Sequence, residues 1–223
     1  MTGFREIGGG RFDVFYHRRY FESILSAINN GIYKTQSLNK VILSYKKGIE
    51  VGSEEYVSEG IPFVRVADIN DFNIDTENAD RKITKQKFEK LKDEFQPKIG
   101  EILYSKDGTI GFSVVVEEES DYIISSGILR VICDETVNNY FLKYLLSTKL
   151  YKQIADRVSI GTIIKHLTIS EWLKIAVPLP PIEKQNEIAE YISTIRQQAQ
   201  LLQKESMQIL QQAKEQIEKM ILE

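Results

Sequence analysis

The chain has little of the equipment on which catalysis, metal binding or export usually rests. Its 223 residues include one cysteine, Cys133, and two histidines, His17 and His166, far apart in sequence. A lone cysteine closes no internal disulfide. With no Cys or His neighbour at ligand spacing, it argues against zinc and suits a reducing cytoplasm. No apolar run approaches the ~18 residues of a membrane span, and the first residues lack the basic-then-apolar order of a signal peptide. A cytoplasmic protein without membrane contact is the expectation. The phosphate-cradling pattern G-x-x-x-x-G-K-S/T and the zinc-binding H-E-x-x-H are both missing. So is the Asn/Asp-Pro-Pro-aromatic motif of an amino-methyltransferase: Pro180 and Pro181 follow Leu179 and precede Ile182, and no glycine-rich cofactor loop accompanies them. Carboxylates such as those of residues 117–119 run together on solvated stretches rather than around a lysine. The sequence therefore predicts no catalytic residue, no metal and no cofactor, and binding of neither S-adenosylmethionine nor ATP.

A basic excess is missing as well. The chain carries 29 Lys and Arg against 32 Asp and Glu, a formal net charge of −3, where neutralising phosphates usually requires the opposite sign. Residues 182–223 hold five of those cations and seven of the carboxylates, which leaves 24 and 25 for the rest. Any surface for nucleic acid must come from local clustering. With 42% hydrophobic and 27% charged residues, the composition is that of an ordinary folded protein, long enough for one sizeable core and an appendage.

What is present is a run of short, differently patterned segments. Residues 11–28 begin rich in aromatics and arginines, with a basic cluster at His17, Arg18 and Arg19. They end in a helical pattern of Tyr20, Ile24, Leu25 and Ile28, stopped by Asn29, Asn30 and Gly31. Residues 38–44 fit a strand, and 45–60 a loop. Residues 60–69 alternate, predicting a strand with Arg65 and Asp68 on opposite faces. Residues 84–95 are helical, with Phe88, Leu91 and Phe95 as the apolar stripe and Pro97 as the stop. Two β-rich runs within 100–116 flank Asp107 and Gly108, a pair suited to a hairpin turn. Residues 122–132 supply another strand, 139–158 one helix and 174–177 a last strand. The mixture predicts an α+β unit over residues 1–181.

Beyond the run Pro178, Leu179, Pro180, Pro181 the chain changes character. Residues 182–223 contain no Pro and no Gly, predicting one helix of about 40 residues. Its apolar positions step by four and three, with Ile188, Ile192, Ile195, Leu202 and Ile209 as the seam of a coiled coil and Ala199, Ser206 and Ala213 between them. A long helix folded back on its own unit, its stripe widened by Leu201, Leu210 and Ile221, is the alternative.

Four blocks in order, GIPFVRVADI from Gly60, GEILYSKDGTIG from Gly100, FLKYLLSTKLYKQI from Phe141 and GTIIKHLTISEWLKIAVPLPPIEKQNEI from Gly161, resemble the specificity subunits of type I restriction-modification systems. PLPP followed by Glu183-x-Gln185 and a long helix is the most specific piece, and the resemblance covers residues 60–223. It implies a mixed α/β target-recognition domain, 1–181, followed by a conserved-region helix, 182–223. Full-length members carry two such units, each reading one half of a bipartite double-stranded DNA site. Their helices pair antiparallel and dock the methyltransferase subunits, through which the restriction subunit joins. This chain looks like a half-length form with one unit, which a homodimer would complete. A detached recognition module of a fused restriction-methylation enzyme, or a coiled-coil scaffold, are the other readings.

Base edges and phosphates need donors and acceptors on exposed loops, and two loops supply them. Ser105, Lys106 and Thr109 surround the turn at Asp107 and Gly108, where Asp107, Gly108 and Gly111 could also be turn chemistry alone. Ser159, Thr162, Lys165 and His166 surround Gly161, in a stretch that also fits a solvated connector. Arg65 could grip a guanine bidentately or serve a structural ion pair. Which bases would be read, the sequence does not say.

Overall fold

The computed structural model describes residues 19–161 and 165–222, with side chains from residue 22; Tyr16, His17, Arg18 and Thr162 lie outside the described residues. Helix α1 (Arg19–Asn29) leads through β1 (Thr35–Ser37) and the single turn α2 (Leu38–Val41) into β2 (Ile42–Lys47). Next come β3 (Ile61–Val64), β4 (Lys82–Ile83), α3 (Lys85–Phe95), β5 (Ile102–Ser105), β6 (Ser113–Val115), β7 (Ile123–Ile124) and β8 (Ile128–Cys133). After α4 (Asn139–Ser147), α5 (Lys149–Val158), the short α6 (Ile169–Trp172) and β9 (Ala176–Pro178), the chain enters α7 (Ile182–Leu222). The mixed α/β class and the long C-terminal helix are as the sequence predicts.

An antiparallel sheet in the order β2-β8-β5-β6 forms the centre. Alternate strand residues point to opposite faces. Ile102, Tyr104, Leu129 and Val131 therefore meet Ile24, Leu142, Ile154 and the fully buried Trp172 on one side. Leu103, Val114 and Ile128 meet Val64, Ile69, Tyr122 and Ile124 on the other. Because both faces are covered, β5 and β6 are buried at every position and read as continuous apolar runs. A smaller cluster of Phe63, Ile83, Phe88 and Ile123 seats α3 on the sheet β4-β3-β7.

Several local expectations are corrected. The strand expected over 60–69 ends at Val64, and a 3-10 turn over Val66–Asp68 follows. The Asp68 carboxylate accepts the Arg65 backbone N–H at 2.8 Å, which bends the chain and brings both residues onto one turn rather than onto opposite faces. Residues 38–44 split into a helical turn and a strand; that strand runs on through Lys46 and Lys47, placed by the sequence in a loop. Residues 122–132 form two strands in two different sheets, parted by a turn in which the Ile128 N–H bonds the Ser125 carbonyl at 3.0 Å. The helix expected over 139–158 breaks at Thr148. This residue is extended (φ −65°, ψ 150°) and its hydroxyl caps α5 through the Tyr151 N–H, a competition with the helix that threonine is suited to win.

The start of α7 is fastened to the globular part by Gln185, which is wholly buried. Its amide donates to the Pro180 carbonyl at 2.9 Å and the Thr136 carbonyl at 3.0 Å, and accepts the Asn138 N–H at 2.9 Å. Asn138 also donates to Asn186 at 2.8 Å, and the Tyr144 hydroxyl meets Ser193 at 2.8 Å. Gln185 thus ties together the proline run, the approach to α4 and the helix. Gln185→Ala orphans two carbonyls and one N–H, and is expected to cost about 2–3 kcal/mol in urea unfolding; a loss below about 0.5 kcal/mol would show that the clasp is ornamental.

Candidate nucleic-acid interface

The connection between β5 and β6 is a seven-residue loop, 106–112, not the two-residue turn expected from the sequence. Gly108 (φ +65°) and Gly111 (φ +94°) both take left-handed backbone, which a side chain would resist. Extra length lets the loop fold over onto the segment that follows α5. There the Gly108 N–H bonds the Lys165 carbonyl and the Leu167 N–H bonds the Lys106 carbonyl, each at 2.8 Å. On the same segment, the N–H groups of Ile160 and His166 bond each other's carbonyls at 2.9 and 2.8 Å. Two loops distant in sequence, each rich in hydrogen-bonding groups, thus form one surface.

Asp107 is the hub. Its carboxylate accepts from the Lys106 ammonium at 2.6 Å and pairs with Nδ1 of His166. Lys106 is only 4% exposed, so its charge is engaged inside the loop. Ser105 is buried too; its hydroxyl donates to the Thr109 carbonyl at 2.7 Å and accepts the Phe112 N–H at 2.8 Å. Ser159 is buried, and its hydroxyl donates to the Asp156 carbonyl at 2.7 Å. These three hold the loops in shape. Thr109 and His166 are exposed and Lys165 half-exposed, its ammonium on Asp156. The side of Gly108 where a Cβ would stand is open.

Arg65 joins this surface from the other direction. It lines a cleft of about 430 Å³ together with Asp107, Gly108, Ser125, Ser126 and Tyr56. Its guanidinium bonds Asp80 at 3.2 Å and lies 3.7 Å from Asp68, so the ion pair and a half-exposed position beside the cleft coexist. Tyr56, capped by the Arg81 guanidinium 5.3 Å from its ring centroid, and Ser125 and Ser126 were not singled out from the sequence. The signal for the serines was the Ser125, Ser126, Gly127 run, which interrupts an otherwise apolar strand pattern. Arg and Lys as donors, Asp as acceptor, and His and Ser as both make up the mixture that base edges call for. The cations are matched by carboxylates, in keeping with the absent basic excess.

Over residues 31–211 the chain matches the family described as Type I restriction modification DNA specificity domain, well over half of its length. The chain belongs to this family. Among its relatives are the EcoBI specificity subunit of Escherichia coli, 27% identical over 150 residues, which are 67% of this chain and 31% of that protein. The MjaVIII specificity subunit of Methanocaldococcus jannaschii is 28% identical over 116 residues, 52% of this chain and 27% of that one. The chain thus spans about a third or less of these relatives. Its fold is shared with the S subunit from M. genitalium (TM-score 0.54, 16% identity, 76% of this chain and 40% of that one). It is also shared with the HsdS subunit from Thermoanaerobacter tengcongensis (TM-score 0.51, 18% identity, 81% and 43%).

In this specificity domain, α7 has two faces. Gln185, Ala189, Ser193 and Arg196 turn toward the globular part and are buried or half-buried, whereas residues 197–222 are exposed throughout. Ile188 and Ile192 of the expected seam are half-buried, and Ile195, Leu202 and Ile209 are exposed. Among the described residues no helix is long and apolar enough to cross a membrane, and no His, Cys, Asp and Glu cluster could hold a metal.

Proposed function

We propose that this chain reads double-stranded DNA for a type I restriction-modification complex in the cytoplasm, through Arg65, Asp107, Thr109, Lys165 and His166. Catalysis is left to methyltransferase and restriction subunits, and the chain needs no cofactor. The observation that carries the reading is the meeting of the 106–112 loop with residues 165–167 beside Arg65, in a member of the specificity-domain family. Ser105, Lys106 and Ser159 act on DNA only by shaping these loops. In this reading residues 1–181 recognise DNA. Residues 182–223 form a coiled coil with a second copy and dock the methyltransferase, so that each homodimer reads one half-site twice, in opposite orientation.

Selection of bound duplexes from a random pool, with the methyltransferase subunit present, tests the proposal. Enrichment of an interrupted palindrome is expected; no duplex retained even at low salt would leave the scaffold reading instead. Two lysines give a finer test. Lys165→Met is expected to lower the slope of log affinity against log salt by about one, the signature of one lost phosphate contact. Lys106→Met leaves that slope unchanged, since its ammonium faces Asp107. An unchanged slope in both, measured by gel shift, would place the DNA on another face.

A further inference from the structure

Where α7 leaves the globular part, it roofs a cavity of about 260 Å³ walled by β6 and α4. The joint is far richer in charge than an ordinary packing seam. Lys143, on α4, opens into the cavity although it is only 5% exposed. Its ammonium lies 4.3 Å from the centroid of the Tyr144 ring, and among the described residues no carboxylate pairs with it. Arg196 reaches in from α7, stacked between Phe72 at 4.2 Å and Tyr144 at 5.1 Å, and donates to the Asp71 carbonyl. The nearby Lys152 is already paired with the Asp71 carboxylate, which also accepts the Ser113 N–H at 3.2 Å. Of the residues lining the cavity, Glu117 is the single carboxylate against two cations. The cavity is therefore short of one negative charge. A buried ammonium without a counter-ion is strongly unfavourable: it either gives up its proton or takes a hydrogen-bonded anion.

We propose that this cavity is a binding site for a phosphate group, held by Lys143, Arg196, Ser193 and Gln197. The donors suit the ligand: an ammonium, a guanidinium, a hydroxyl and a carboxamide can give several hydrogen bonds from two elements to one compact oxyanion. A bound phosphate bridges α4 and α7 and tightens the helix onto the globular part. Burial, and then Arg196, push the Lys143 ammonium down to about 7; Asp71 and Glu117 pull the other way and Lys152 adds to the fall. An anion beside it stabilises the charged form. Near pH 8, where Lys143 in the empty site is mostly neutral, binding must therefore draw in a proton, whereas near pH 6 the lysine is already charged.

The site stands independently of duplex recognition, and the test keeps the two apart. Calorimetric titration of the chain with inorganic phosphate at pH 8, where the free anion is already doubly charged, in buffers of different ionisation enthalpy, is expected to show one site with proton uptake by the protein, an uptake absent from Lys143→Met. Lys143→Met keeps the stem and removes the charge; it is expected to weaken phosphate at least tenfold, as is Arg196→Gln. Lys149→Met, on the exposed start of α5, is expected to leave binding within twofold. Gel shifts then identify the source. A salt slope lowered by about one in Lys143→Met means that the phosphate belongs to the DNA backbone, and an unchanged slope with phosphate binding lost means a free phosphate or nucleotide. No binding of phosphate by the unmodified chain, or equal binding by Lys143→Met with its circular dichroism intact, overturns the proposal.

Discussion

Replacing Arg130 by methionine is expected to destabilise the fold by about 3–5 kcal/mol, the range for stripping one partner from a buried ion pair. Arg130, on β8, and Glu101, at the mouth of β5, are both buried and meet through two parallel bonds of 2.8 and 2.7 Å. The third arm of the guanidinium donates to the Glu94 carbonyl at 2.9 Å, and the Lys98 N–H supports the carboxylate at 2.9 Å. One side chain thus fastens the last turn of α3 to the central sheet. Without it, the Glu101 carboxylate stays buried with a single backbone donor. Arg130→Met with Glu101→Leu removes both charges and is expected to recover most of the loss, so a double-mutant cycle in urea yields a coupling of several kcal/mol. A single variant within about 1 kcal/mol of the parent would show that α3 is held by Phe88 and its apolar neighbours alone.

A chain carrying Ile195→Asp and Leu202→Asp is expected to be monomeric where the parent is dimeric. Ile195, Leu202 and Ile209 are 46%, 65% and 65% exposed and recur every seven residues, on a face roughly a third of a turn from the one that Ala189 and Arg196 present to the globular part. An uncovered stripe of this length calls for a partner. The intervening column is small: Ala199, Ser206 and Ala213. In antiparallel pairing the large column of one helix faces the small column of the other, and the layers fill evenly. Parallel pairing would set large against large and leave voids between the small residues, so packing favours the antiparallel arrangement. Each buried Ile or Leu contributes about 1.5–3 kcal/mol. Losing four of them per dimer should therefore weaken association by at least about four orders of magnitude. Light scattering on both chains gives the answer, and a parent that stays monomeric at micromolar concentration points instead to a helix of a methyltransferase subunit.

The elements most legible in the sequence were those fixed by local chemistry. α7 needs only an absence of Pro and Gly, and α3 only its stripe and the Thr84 cap, whose hydroxyl accepts the Lys87 N–H. Errors arose where one side chain outweighed periodicity. Thr148 divided a helix whose apolar pattern ran straight through it, and Asp68 curled a strand whose alternation was clean. The candidate interface was half visible. Hydroxyls, cations and glycines marked both loops, yet nothing local reveals that Asp107 and His166, 59 positions apart, lie side by side, or that Lys106 faces inward. Such facts belong to topology: β5 and β6 carry one loop to the place where the chain emerges from α5. The Arg130 and Glu101 pair was illegible for the same reason, since in sequence each is one charge among many.

The two fastenings of α7 have a consequence for measurement at a distance. Gln185 and Arg196 stand about 16 Å apart along the helix axis, and the rod projects about 39 Å further to Leu222, at 1.5 Å per residue. A pole gripped at two close points magnifies any error of aim. Tilting this one by about 10° swings its tip by about 7 Å, the length of two DNA base pairs at 3.4 Å each. The stack of Phe72, Arg196 and Tyr144 is the outer grip, and it works like the set screw of a caliper: a contact of a few ångströms at the joint decides the distance at which whatever the rod carries is held.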